Sequence, residues 1–279
     1  MPHEIWTGAD FTSSSLARLY WWSSHVVAAG AVLVWRVGLP VWRTLRHGIT
    51  VTSVTRESRD VVTVRMGGRG LHRLPVKSGQ FFIWRFLDGP GWSRGNPYSL
   101  SAAPRHDSVQ ITAKDLGGGS GRLGSLQLGT RVLIEGPYGR LTGEQRVGDR
   151  VAMIACGIGI TPLRALLRGP SLRPRRRHAG LPHARGTGPR LPRRARGPRD
   201  RRGVTVHYLL GPRMHGRASW LPESARRWRD AYAVERLVPD LLRTDVFVCG
   251  PDPWMDAVAA ACTAGGLPPE QLHQERFTW

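Results

Sequence analysis

The chain has 279 residues, room for about two domains. Its three cysteines, Cys156, Cys249 and Cys262, stand in no metal-ligand or disulfide-framework spacing, which excludes a zinc module and a disulfide-stapled secreted scaffold. The formal charge of +21 invites a polyanion partner, but twelve arginines against one aspartate between Gly169 and Arg202 supply +11 of it, so the charge belongs to one window rather than to a face of the whole protein.

The first element in the chain is apolar. Leu19 to Trp35 passes without a formal charge and would span about 25 Å as a helix. Trp21, Trp22 and Trp35 lie near its ends, and Arg36, Arg43 and Arg46 follow it. This pattern predicts one membrane helix over about 19–35, within a segment 1–46, with everything downstream cytoplasmic; Ser23, Ser24 and His25 in mid-span leave a buried or interfacial helix as the alternative. A signal peptide would need basic residues before the run and a small-residue cleavage site after it; neither is there. His25 has no second histidine on a neighbouring helix, so haem ligation is unsupported and no metal site is expected.

From His47 to Gly143 short runs alternate β-branched and polar residues ("ITVTSVT", "DVVTVRM", "GQFFIWRF", "SVQITAKD", "TRVLIEG") between Gly, Pro and Asp clusters, which predicts an antiparallel β-barrel domain over 47–143. Within it, "NPYSLSAAP" presents Tyr98 beside Ser99. The pair suits a planar amphipathic cofactor, by ring stacking and a hydroxyl hydrogen bond, and equally a core tyrosine. "KDLGGGSGRLGSL", from Lys114 through Gly117, Gly118, Gly119 and Ser120, reads either as a phosphate loop ahead of a short helix or as a plain glycine-rich hairpin loop.

The pattern then changes. "DRVAMIACGIGITPLRALL" is an apolar strand, a glycine turn and a helix; "GVTVHYLL" and "TDVFVCGPDPWMDAVAAAC" follow it, so 144–279 is expected to be an α/β domain with a parallel sheet. In the "GIGITP" turn Gly157 and Gly159 let a pyrophosphate approach the backbone, Thr161 donates or caps, and Pro162 suits the first helical turn. Cys249, Gly250 and Pro251 end a buried strand where ligands bind in such sheets. The terminal "HQERFTW" carries Glu275, Phe277 and Trp279, an end that fits docking on the protein.

Taken in this order, "PYSLS", "GIGITP", "VCGP" and the terminal "ERF" resemble the ferredoxin-NADP reductase superfamily, most closely its membrane branch of ferric reductase and NADPH oxidase type, over Thr7–Leu167 and Val204–Trp279. The resemblance implies FAD and NAD(P)H, NADPH favoured, with hydride transfer to the flavin and single electrons passed to a small-molecule or protein acceptor. It implies that Tyr98 packs on the isoalloxazine, that Ser99 bonds near its N5, and that the Lys114–Ser120 loop holds the FAD pyrophosphate. Gly157, Gly159, Thr161 and Pro162 would hold the NAD(P) pyrophosphate; Cys249, Gly250 and Pro251 would lie beside the nicotinamide. Glu275 and Phe277 would close over the flavin. Ser99, Cys249 and Glu275 are thus the expected catalytic residues.

Three departures qualify it. Asn96, before Pro97, stands where the family carries Arg or His, and Arg94 would substitute. Arg213, after "HYLLGP", is the remaining candidate for a 2′-phosphate contact. The chain begins near the last membrane helix of that branch, so Met1 is expected to be an internal start, with haems on a separate membrane subunit. The arginine-rich window falls where the family has its second strand and helix; we read Arg168 to about Arg199 as unstructured or out of frame. The rival readings are a flavin-binding remnant without nicotinamide turnover and a polyanion-binding protein; no aromatic residue interleaves the arginines for base stacking, which counts against nucleic acid.

Overall fold

In the computed structural model residues 14–169, 195–196 and 207–276 are described. Phe277 and, apart from Gly169 and Ala195–Arg196, the arginine-rich window lie outside the described residues, and the out-of-frame expectation lies there with them. Helix α1 (Ser15–Leu33) starts where the Ser14 hydroxyl accepts the Ala17 N–H at 3.0 Å. It runs through a π-helical turn, Val34–Gly38, into α2 (Leu39–His47), which ends at Gly48 with φ 55°. The helix is therefore longer than the expected 19–35. Pro40 does not stop it because the π-turn has already broken the regular i→i−4 ladder there. No side chain of α1 is buried, whereas α2 lies on the β domain: Arg36 reaches Glu135 at 3.2 Å, and Arg43 donates to the Gly136 carbonyl.

Six strands follow: β1 (Thr50–Ser58), β2 (Val61–Gly67), β3 (Phe81–Phe86), β4 (Asn96–Ser99), β5 (Ser108–Lys114) and β6 (Val132–Tyr138), with a one-turn helix α3 (Gly118–Gly121) after β5. They form two antiparallel sheets, β1-β2-β5 and β4-β3-β6. Alternation sets which residues turn inward: Phe82, Trp84 and Phe86 from β3 meet Val109, Ile111 and Ala113 from β5 in one core. Burying Phe82 and Trp84 contributes roughly 2–3 kcal/mol each. Among the described residues the ladders make two sheets rather than the one continuous barrel expected from the sequence, and the sheet edges are linked at the isolated bridges Thr50–Arg131 and Leu100–Ile111. Strand β4 is four residues long and contains Pro97, which has no N–H to donate to a longer ladder.

The second unit holds β7 (Arg150–Ala155), α4 (Ile160–Arg168), the two-residue strands β8 (Ala195–Arg196) and β9 (His207–Tyr208), α5 (Asp230–Leu237), β10 (Thr244–Cys249), α6 (Asp252–Ala264) and β11 (Leu272–Gln274). Among the described residues its sheet is parallel, in the order β11-β10-β7, and β8 and β9 pair only with each other. Strand β10 is buried at all six positions, as a central parallel strand covered on both faces should be. Its Phe247 and Cys249 pack with Leu163 and Leu166 of α4; Val246 and Val248 pack with Met255 and Val258 of α6. The linker from the β domain is pinned at the start of β10, where the Asp245 carboxylate accepts the N–H groups of Val147 at 3.1 Å and Gly148 at 2.7 Å and pairs with His273 of β11 at 2.8 Å.

Candidate active site

At the carboxyl ends of β7 and β10 the turn after β7 packs closely on the end of β10. The Cys156 N–H donates to the Cys249 carbonyl at 3.1 Å, and a Cβ on Gly159 would stand 2.2 Å from that same oxygen. Only glycine lets the two loops touch. This contact holds Gly157–Gly159 beside Gly250, while Thr161 and Pro162 are buried in the first turn of α4. Pro251 caps α6 and offers its carbonyl to Trp254 and Met255 at 2.9 Å. Arg213 lies close enough to favour the Cys156 thiolate, although burial dominates and pushes that thiol up.

On the β side, Trp84 Nε1 donates to the Tyr98 carbonyl at 2.9 Å and fixes β4. Tyr98 is half-buried against the core, and its phenol is pushed up to about 12, first by burial and then by the Asp115 carboxylate. Ser99 is buried and its hydroxyl has no partner. Glu275, just past β11, has one carboxylate oxygen 3.3 Å from the Arg140 N–H, while the other is buried without a partner. Burial, the largest influence, raises its carboxyl, and the backbone donors of Arg140 and Leu141 act against it. Burial and then the Glu275 charge push the Cys249 thiol up to about 12, so it stays protonated at neutral pH.

Gln80 joins these pieces, and nothing in the sequence singled it out. Its carbonyl accepts the Leu100 N–H at 3.4 Å, next to Ser99, and its side-chain amide donates to the Gly139 carbonyl at 3.2 Å. Glu275 is packed on Gly139 so closely that a Cβ there would lie 2.5 Å from its carboxylate. Gln80 thus links the end of β4, next to Ser99, to the Gly139–Glu275 contact.

The glycine loop lies elsewhere on the β domain. The Leu116 N–H is taken by Ser120 Oγ and the Gly117 N–H by Asp115 Oδ1, both at 2.9 Å. Asn96 seats against this loop; a Cβ on Gly119 would fall 2.1 Å from its Oδ1, and its Nδ2 donates to the Arg94 carbonyl at 3.4 Å. Lys114 stands apart from that cluster. Strand alternation puts it on the outer face of the β2–β5 ladder, 3.2 Å from Asp60 Oδ2, where it faces Gly157 and Thr161 across a cavity.

Buried polar atoms without partners cost about 1–3 kcal/mol each and are rare. The Ser99 hydroxyl and the Glu275 oxygen form such a pair of vacant valences beside a tyrosine and two glycine turns, which fits a planar polar ring held between the two units. The turn has no side chain at Gly157 or Gly159, so a dinucleotide can approach its backbone, while the Gly159 N–H itself is held by the Cys156 carbonyl at 3.1 Å.

No family model matches the chain. It is 28% identical over 257 residues to the glycine betaine monooxygenase reductase subunit of Chromohalobacter salexigens, covering 85% of this chain and 65% of that one. With the propane 2-monooxygenase reductase component of Mycolicibacterium goodii it shares 28% over 248 residues, 82% of this chain and 66% of the relative. The chain therefore spans just under two thirds of the length of these curated relatives. The crystal structure of phthalate dioxygenase reductase, described as a modular structure for electron transfer from pyridine nucleotides to [2Fe-2S], superposes with a TM-score of 0.52 at 19% identity, over 81% of this chain and 66% of that chain. The fold is ferredoxin-NADP reductase-like, two units with antiparallel sheets followed by a parallel sheet. These relatives, named as reductase components of monooxygenase systems, overturn the expected membrane placement, and they do not show the ferric reductase branch. The helix from Ser15 to His47 has the length and mean hydropathy, 1.5, to cross a membrane, but one such helix near the start of a chain is a property that core helices and signal sequences share.

Proposed function

We propose that this chain is the flavin- and nucleotide-binding part of an NAD(P)H-dependent reductase that feeds single electrons to an oxygenase or iron–sulfur partner, with 47–143 as the flavin unit and 144–279 as the nucleotide unit. The observation that carries the reading is the pair of buried, unpartnered oxygens on Ser99 and Glu275 at the junction of two units that share the reductase fold. A bound flavin would accept a hydride from the reduced nicotinamide and release its electrons one at a time.

The chain's own residues supply the rest. Tyr98 gives an aromatic face held by β3, and its protonated phenol keeps charge away from a ring packed on it. Ser99 offers a hydroxyl proton to a ring nitrogen. Gly157 and Thr161 bind a pyrophosphate through backbone and hydroxyl donors, with Gly159 leaving room for its approach and Pro162 setting the first turn, and Arg213 adds a cation on the same side. Cys249 stays a neutral thiol and, with Gly250 and Pro251, walls the nicotinamide side against water. Glu275 closes the junction and positions a proton acceptor there; Phe277 would extend that closure. The loop Gly117–Ser120, with Asn96, Pro97 and Arg94 beside it, would take the FAD pyrophosphate. Lys114 we assign to the nucleotide side instead.

Purified protein reconstituted with FAD should be yellow and should bleach when NADPH or NADH is added without oxygen. Failure to retain FAD after gel filtration would overturn the reading. A second reading, a flavin-binding remnant, is favoured by one observation: among the described residues the outer edge of β7 has no strand partner. It predicts yellow protein that neither nucleotide bleaches.

A further inference from the structure

A cavity of about 460 Å³ lies between the two units. Its floor is the outer face of the β2–β5 ladder, where Val61 is in register with Lys114 and Thr63 with Thr112. Thr63 and Thr112 satisfy each other's hydroxyls at 2.9 Å. Its opposite wall is the Gly157–Thr161 turn with Arg164. Ser101 also lines it; this residue is 1% exposed and its hydroxyl has no partner, so the cavity presents a built polar group awaiting a ligand.

The charge in this cavity is balanced. Lys114 and Arg164 supply two cations, and Glu57 and Asp60 two anions. A site for a phosphate-bearing ligand gains from a net positive lining, yet here the lysine nearest the turn is already engaged: Nζ lies 3.2 Å from Asp60 Oδ2, with both side chains about half exposed. Asp60 is itself fixed by the Ser58 hydroxyl at 3.1 Å on its other oxygen. A dianion arriving at Gly157–Gly159 must therefore exchange one ion pair for another, and the net gain is the difference between the two.

We propose that Asp60 competes with phosphate-bearing ligands for Lys114, and so sets the affinity of the interdomain cleft for a dinucleotide. This inference rests on the assignment of the Gly157–Thr161 turn to the nucleotide. An exposed pair of this kind is weak, so freeing Lys114 should tighten binding by about two- to fivefold. Asp60→Asn is nearly isosteric and keeps an acceptor for Ser58.

The test is calorimetric titration of the FAD-loaded protein with NADP⁺ and, separately, with inorganic pyrophosphate, using wild type, Asp60→Asn, Lys114→Met and the double variant, each with its melting temperature as a control for folding. Asp60→Asn should bind both probes two- to fivefold more tightly, Lys114→Met should bind them more weakly, and adding Asp60→Asn to Lys114→Met should bring no gain. Unchanged or weaker binding by Asp60→Asn, or an undiminished gain in the Lys114→Met background, would overturn the inference while leaving the nucleotide assignment standing. If wild type and Asp60→Asn both retain FAD but neither binds either probe, the assignment of the turn fails and the inference fails with it.

Discussion

Two buried carboxylates, at opposite ends of the same parallel sheet, are treated very differently. Asp245, where β10 begins, has both oxygens engaged by two linker N–H groups and His273. Glu275, beyond the end of β11, has the backbone donors of Arg140, at 3.3 Å, and Leu141 beside it, and its Oε2 is buried without a hydrogen bond. The first is a finished joint that ties the linker to the sheet. The second is an unfinished one, and an unsatisfied buried group held in a native fold calls for a ligand or a reaction to account for it. The same contrast separates Thr63 and Thr112, which satisfy each other, from Ser99 and Ser101, which nothing satisfies.

The contrast is open to attack by substitution. The largest effect is expected at Asp245→Ala, which strands two N–H groups and a buried histidine and should cost about 3–5 kcal/mol in urea unfolding. A loss under 1 kcal/mol would make Asp245 as dispensable as the open end. Gly159→Ala should come next: its methyl meets the Cys249 carbonyl, so the turn must move, at about 1–3 kcal/mol and with about tenfold or greater loss of nucleotide affinity. Wild-type affinity in that variant would show that the close approach of the two loops is not needed.

Ser99→Ala removes a buried hydroxyl that bonds to nothing in the free protein, so the free protein should be stabilised, by up to about 1–3 kcal/mol. Its rate of flavin reduction by NADPH in stopped flow should fall about 10–100-fold, and an unimpaired rate would remove Ser99 from the chemistry. The smallest effect is at Glu275→Gln, and it is a matter of sign. Burial raises the Glu275 carboxyl in the folded state, so its ionisation weakens the fold as pH rises through the raised value and the group carries no penalty below the unfolded carboxylate range. Glu275→Gln should therefore melt slightly higher than wild type at pH 7, with the difference disappearing on acidification through that window. A lower melting point at pH 7 would mean that Glu275 is satisfied after all.

Much of the architecture is legible in local pattern. The alternation in "QFFIWRF" is the alternation of buried Phe82, Trp84 and Phe86, and the unbroken apolar "VFVC" is the fully buried β10. The glycine turn, with Gly157 and Gly159, Thr161 and Pro162, falls between a strand and a helix as its spacing requires. Other expectations met competition from distant parts of the chain. The barrel forms no single ladder because β4 pairs over only four residues and its edge reaches the next sheet through an isolated bridge, and the helix expected over 19–35 runs on to His47 because the π-turn Val34–Gly38 loosens the ladder ahead of Pro40.

By itself the sequence determined which segments are strands, which turn brings bare backbone to a strand end, and that Tyr98 and Ser99 stand side by side, because each of these follows from residues within one turn or one strand of each other. Only the tertiary structure decided that Lys114 answers to Asp60 rather than to the glycine loop, that Gln80 links Ser99 to the Glu275 corner, and that Asp245 is sealed while Glu275 is open. Those outcomes depend on which edges and loops meet across the fold and on how many donors each buried oxygen finds there, and both are set by packing between segments far apart in the chain.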